Sequence, residues 1–167
     1  MTEFDANGQS SLRLLSDISA ETTGKASLQR RGQVLELILD SMSEGVIVCD
    51  AKGELLLVNQ SARQILNTDA PLNSLSHIQA AYADKHNAES LTLFWHQHPL
   101  VRALAGEKVS DKELSLYDRK RHLSLTLSHA AAPLLDEHGT LIGAVDVFRD
   151  ATEQRRAFHE LQHTEEQ

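Results

Sequence analysis

Nine histidines, twenty-four carboxylates and a single cysteine carry most of the reactive chemistry in this chain of 167 residues. His96 and His98 draw attention first, because they sit two apart in Phe94-Trp95-His96-Gln97-His98. On a helix that spacing sends them to different faces, so a shared metal ion is disfavoured and exposed or helix-capping imidazoles are the plainer reading. Cys49 lies inside the apolar run Val46-Ile47-Val48-Cys49, where a buried, inert thiol is expected. One cysteine excludes an internal disulfide and a cysteine-based zinc cluster. There is no glycine-rich phosphate loop and no Gly-x-Ser-x-Gly elbow. Ser, His and Asp are all present, but no spacing ties them into a triad. The residues therefore point to a binding or regulatory role, and no catalytic residue is assigned.

The elements that must position these groups can be read from periodicity. Val46–Cys49 is too short for a helix and suits a buried strand. Asp50-Ala51-Lys52-Gly53 reads as a turn, with Asp bonding back to backbone N–H groups and Gly taking a positive φ. Leu55–Val58 forms a second strand, and Asn59 caps a helix whose apolar face is Ala62, Ile65 and Leu66. Leu75, Ile78 and Tyr82 suggest a short helical face, and 84–89 a loop. Pro99 suits the first turn of a helix over Leu100–Ala105, which Gly106 stops.

Three further strands follow. Glu113–Tyr117 places Leu114 and Leu116 on one side, and Asp118–Arg121 is a charged turn. From His122 to His129 the chain alternates, with Leu123, Leu125 and Leu127 on one face and Ser124, Thr126 and Ser128 on the other, which predicts a half-buried antiparallel strand. Pro133 marks an edge position, a bulge or the strand end. Asp136-Glu137-His138-Gly139 repeats the earlier turn before a last strand over Leu141–Phe148. Asp150 then caps a terminal helix, with Glu153 completing a capping box. Ahead of all this, Leu12, Leu15 and Ile18 predict one helix, interrupted at Thr22-Thr23-Gly24, and a second runs from about Ser27 to Met42. Its residues Leu28, Leu35, Ile38 and Met42 follow the three-four spacing of a coiled-coil seam, with Arg31 as a flaw. Met1–Gln9 reads as a frayed polar end.

An apolar fraction of 41% supports a core, and only 4% aromatics means one built from Leu, Val, Ile and Ala. The net charge of −8 argues against nucleic acid or an anionic membrane surface as partner. The pairs Arg30-Arg31 and Arg155-Arg156 and the triplet Arg119-Lys120-Arg121 read as solvated helix faces and a hairpin tip. No apolar run reaches the length of a membrane span and the first residues lack a signal-peptide pattern, so a cytoplasmic location is expected.

Taken in order, Glu44-Gly45-Val46, Asp50…Gly53, Val58-Asn59…Ala62, Pro99-Leu100…Gly106-Glu107, Pro133-Leu134…Gly143-Ala144-Val145 and Asp150-Ala151-Thr152-Glu153 resemble a PAS domain over roughly Leu37–Leu161. The element order agrees with an α+β fold in which short helices cover one face of a five-stranded antiparallel sheet. The expected layout is an N-terminal polar and helical extension over 1–31, the PAS domain over 32–149 and a C-terminal signalling helix over 150–167.

The resemblance implies a sensory or dimerisation module that relays a signal through its terminal helix to an effector domain beyond the chain. A sensor histidine kinase is the first expectation, and a diguanylate cyclase or phosphatase the alternative. It places a small-ligand pocket among Val46, Val48, Ile65, Leu66, Trp95, Leu100, Leu104 and Leu125, although Trp95 by its type reads first as core or helix–sheet packing. It assigns signal relay to Asp150, Thr152 and Glu153, while the three-four apolar spacing ahead of the domain predicts a homodimer through Leu28, Leu35, Ile38 and Met42 together with the outer sheet face. Some members bind haem through one histidine, which makes His96 and His98 the candidates here. The Asn-Cys-Arg-Phe-Leu-Gln motif of the flavin photoreceptor branch is absent and Cys49 lies on the wrong element, so covalent flavin is disfavoured. A cup filled by its own side chains, serving only to hold a dimer, is the competing reading.

Overall fold

The computed structural model describes residues 6–68, 70–83 and 94–165. It divides into two units, Met1–Leu39 and Asp40–Gln167. The first consists of most of one helix, α1 (Ala6–Ser41). The expected interruption at Thr22-Thr23-Gly24 is not there. Thr22 and Thr23 donate their hydroxyls to the carbonyls of Ile18 and Ser19, both at 2.7 Å, which keeps these side chains folded back on the helix. A single Gly costs a helix only about 1 kcal/mol relative to Ala, too little to break one this long. Of the end expected to fray over Met1–Gln9, the part from Ala6 on is helical, and residues 1–5 lie outside the described residues.

The second unit is built on a five-stranded antiparallel sheet in the order β2-β1-β5-β4-β3. Its strands are β1 (Gly45–Asp50), β2 (Leu55–Val58), β3 (Val109–Asp118), β4 (Leu123–Leu135) and β5 (Leu141–Asp150). The helices are α2 (Gln60–Leu66), α3 (Leu75–Ala83), α4 (Pro99–Leu104) and α5 (Thr152–Glu165). A further helical stretch is described over 94–96. The loop expected over 84–89 lies outside the described residues.

Both Asp-x-x-Gly turns form as the sequence predicts. Asp50 Oδ1 accepts from the N–H groups of Lys52 and Glu54, and Asp136 Oδ1 from those of His138 and Thr140. Gly53 and Gly139 hold φ values of +85° and +80°, a region that costs other residues strain.

Asn59 fixes the start of α2 to β1. Its Oδ1 accepts from Ala62 N–H at 3.0 Å, as a helix cap does, and also from Val46 N–H at 2.8 Å, while Nδ2 donates to Glu44 O at 2.9 Å. Two further bonds add to this joint: Asp40 accepts from Gln60 N–H at 3.0 Å, and the Ser61 hydroxyl donates to the carbonyl of Met42, just past α1.

One sheet face and the helices enclose the core. Ile47, Cys49, Ala62, Leu66, Ile78, Tyr82, Leu100, Ala103, Leu125, Leu127, Ala144 and Phe148 are buried together there. At the centre of the sheet Gly143 lies opposite Asp50, and a Cβ placed on it would stand 2.1 Å from the carbonyl oxygen of Cys49. Only Gly lets these two backbones come so close. Pro133 lies in β4 past the last β3 partner, so its missing N–H faces a side with no ladder to complete.

Two details differ from the sequence pattern. Leu123 is 44% exposed whereas Leu125 and Leu127 are buried, because Leu123 starts the strand beside the charged 118–122 turn. β5 runs on to Asp150, opposite Leu127, so α5 begins at Thr152.

Candidate functional site

The inner face of the sheet carries two polar residues deep in the apolar core. Antiparallel register puts Ala131 opposite Asp146 and His129 opposite Phe148, so the His129 and Asp146 side chains project to the same face from neighbouring strands. His129 Nδ1 donates to the Asp146 carboxylate, with oxygens at 3.0 and 3.2 Å, and both side chains are fully buried. The third member comes from the helical layer. His98 caps α4, its Nδ1 accepting the N–H of Leu100 at a long 3.3 Å, and it too is buried.

Rings surround these groups. The His98 ring centroid lies 5.0 Å from Trp95, 5.1 Å from Tyr82, 5.9 Å from Phe94 and 5.4 Å from His129. Phe148 stacks on His129 at 5.1 Å. This water-poor setting governs protonation. Burial, and then the neighbouring His129, hold His98 well below the usual imidazole range. Burial pushes the Tyr82 hydroxyl well up, with the Asp146 charge adding to it. The Nε2 atoms of His98 and His129 are both buried without a hydrogen-bond partner among the described residues.

The expected pocket residues divide between the two faces of the sheet. Leu66, Leu100 and Leu125 belong to the inner core, with Ile65, Trp95 and Leu104 packed against it. Val46 and Val48 do not line that side. They alternate with Ile47 and Cys49, which are in the core, and so project to the opposite face. The run Val46–Cys49 is apolar throughout, and its period therefore gave no sign of which residues face in. His96 is exposed, whereas His98 is inside the aromatic cluster. His129 and Asp146 were not singled out by sequence. Both continue an alternation, His129 after Leu125 and Leu127, Asp146 between Ala144 and Phe148.

A second constellation lies where the chain leaves the sheet. Thr152 Oγ1 accepts the N–H of Thr126 on β4 at 2.9 Å and donates to Asp150 Oδ1, which also takes Thr152 N–H at 2.9 Å. Ala151, buried, donates its N–H to Thr126 O at 2.8 Å. One turn on, Arg155 Nε donates to Glu113 Oε2 of β3 at 2.7 Å. Asp150 thus bonds the first residue of α5 from the end of β5, one step earlier than a cap residue would. Glu153 is exposed. On α1, Leu28, Leu35 and Ile38 are more than half exposed, and Met42, just past the end of α1, is partly buried.

A five-stranded sheet of this order, covered by short helices on one face and extended by a helix after its last strand, defines the PAS class. The family described as the PAS fold matches residues 39–156, and the chain belongs to it. Among curated proteins, the sensor histidine kinase DcuS of Escherichia coli K12 is 30% identical over 131 residues, covering 75% of this chain and 20% of that protein. A signal-transduction and transcriptional-control protein of Clostridium beijerinckii is 26% identical over 118 residues, covering 71% and 16%. The chain thus spans a fifth or less of these two relatives. Among solved structures, the PAS domain of Bordetella pertussis BvgS superposes with a TM-score of 0.53 at 18% identity, covering 81% of this chain and 98% of that one. The PAS domain of a Colwellia psychrerythraea protein gives 0.52 at 14% identity, with 75% and 98% covered. These likenesses show the fold. Among the described residues, no helix is long and apolar enough to cross a membrane.

Proposed function

We propose that this chain is a PAS sensory and dimerisation module that passes a change in its core to an effector domain through α5, a sensor histidine kinase being the first expectation. The observation that carries this reading is the Thr152 joint, where one hydroxyl connects β4, β5 and the first turn of α5. A shift of β4 against β5 must then change how α5 leaves the sheet. Relatedness to a segment of a sensor histidine kinase and of a transcriptional-control protein supports a role in signal transduction. A cytoplasmic setting accords with the acidic surface and belongs to the same proposal.

Dimerisation through Leu28, Leu35, Ile38 and Met42 is part of it, since the exposed side chains of Leu28, Leu35 and Ile38 leave apolar surface in water at a cost. The relay is tested in the full-length protein by Thr152→Val, with output measured as autophosphorylation or as the activity of whichever effector is attached. A changed basal output from a folded domain supports the relay. Unchanged output leaves Thr152 a structural cap. Sedimentation of a chain lacking residues 1–32 tests the dimer separately, and an equally tight dimer would show that the first thirty-two residues, Leu28 among them, do not hold it.

A further inference from the structure

His98, His129 and Asp146 form a cluster that the relay does not use. One donor atom from each lies within 4.8 Å of a donor from the other two, and all three side chains are buried. A carboxylate in such a place is expensive unless a cation or several hydrogen bonds compensate it. Among the hydrogen bonds described, Asp146 has one partner, His129. The two imidazoles meanwhile leave both Nε2 atoms without partners among the described residues of the core. Such orphaned groups are uncommon, and the Nε2 of His98 is the one that a bound ion can take up directly.

The occupant has to be small. Tyr82, Phe94, Trp95 and Phe148 pack directly on the two imidazoles, with ring centroids 5.0–5.9 Å away. An ion fits between side chains where an organic molecule would have to displace them. Two imidazole nitrogens and a carboxylate oxygen are a ligand set suited to a divalent transition ion of the zinc kind, with one position left open. The His129 Nδ1 to Asp146 separations of 3.0 and 3.2 Å are close to the roughly 3.3 Å between two donors on a tetrahedral ion.

We propose that His98, His129 and Asp146 bind one divalent transition-metal ion, taken up between the sheet and the start of α4. His129 Nδ1 and the Asp146 carboxylate share the ion in place of their hydrogen bond, and the Nδ1 proton passes to Nε2. His98 contributes Nε2. Its neutral form must then carry hydrogen on Nδ1, which gives up the 3.3 Å bond from Leu100 N–H, a long one. Because β4, β5 and α4 each supply one ligand, the ion would pin the helical layer to the two strands that feed α5. The metal site stands independently of the relay.

The experiment uses the complete chain, stripped with a chelator and titrated with cobalt(II) as a visible probe, then with zinc(II) in competition. The expected result is saturable binding of one ion per chain, with intense ligand-field bands that zinc abolishes. His129→Gln and His98→Gln should each weaken binding by more than about a hundredfold, beyond the usual cost of losing an outer-shell partner. His96→Gln, which alters the exposed neighbour, should leave it unchanged. Should the core variants fail to fold, imidazole nitrogen NMR of the unaltered chain gives the answer. Zinc must then shift the His98 and His129 nitrogens. No saturable binding, or shifts confined to exposed histidines such as His96, His122 and His138, would overturn the proposal.

Discussion

The hydroxyl of Thr152 takes the place of a backbone carbonyl for Thr126. It accepts the Thr126 N–H at 2.9 Å, and the next residue back, Ala151, returns its own N–H to Thr126 O at 2.8 Å. The pairing of β4 with β5 is thereby carried past the last strand residue into the helix.

Thr152→Val keeps the shape and removes the acceptor. It leaves a part-buried N–H at Thr126 unsatisfied, so a loss of about 1–3 kcal/mol is expected in urea unfolding. Thr152→Ser keeps the oxygen and should recover most of that. Equal losses for the two variants would show that the methyl group, not the hydrogen bond, matters.

Leu127 and Leu123 lie on the same strand and alternate in phase, yet their exposures are 0% and 44%. Leu127→Ala should cost about 2–5 kcal/mol through lost transfer energy and the cavity left behind. Leu123→Ala should stay within about 0.5 kcal/mol, as surface changes do. Thermal unfolding of the pair checks the inward limit of the alternation.

The Asn59 side chain makes at least three hydrogen bonds. Asn59→Ala strips the cap from α2 and strands the Val46 N–H in a buried setting, for an expected loss of about 2–4 kcal/mol. Asn59→Asp keeps the accepting oxygen but loses the donor to Glu44 O, and should fall between. A loss for Asn59→Ala no larger than an ordinary cap, about 1 kcal/mol, would mean that the link to β1 contributes little.

Burial pushes the Cys49 thiol up, with the charges of Asp50 and Asp146 adding to the effect and a backbone bond at Ala144 opposing it. The folded chain therefore keeps its thiol proton to higher pH than the unfolded chain, which releases it near about pH 8.5. The resulting stability is fully present below that pH and is lost as pH rises through the folded value. Chemical unfolding of the native chain and Cys49→Ala across pH 8 to about 10 should show a steeper alkaline decline in the native chain. Parallel curves would rule the contribution out. Alkylation of Cys49 should likewise wait for unfolding.

Much of this architecture was legible because the chemistry was local. Both Asp-x-x-Gly turns, the Asn59 cap, Pro99 opening α4 and the Leu114/Leu116 face all follow from residues a few positions apart. What was missed depends on distant partners. Polar residues on a strand are expected to face water, so the alternation was read as stopping at Leu127, although His129 continues it. Asp146 pairs across strands, and no short-range pattern announces that. The all-apolar Val46–Cys49 run had no period with which to choose a face. At Thr22-Thr23-Gly24, residues with weak helix preference were read as a break, while each threonine hydroxyl had a carbonyl one turn back to bond.

The strand order has a consequence for how the chain is made. The first strand finds its central neighbour in the last one, with Gly45 opposite Phe148, about a hundred residues later. During synthesis β1 and β2 leave the ribosome as a lone hairpin, too small to be stable in water. Its inner edge must wait until β5 emerges. Folding is thus held back until nearly the whole domain has been translated, and the waiting edge, Val46-Ile47-Val48-Cys49, is the segment most open to mispairing with another nascent chain.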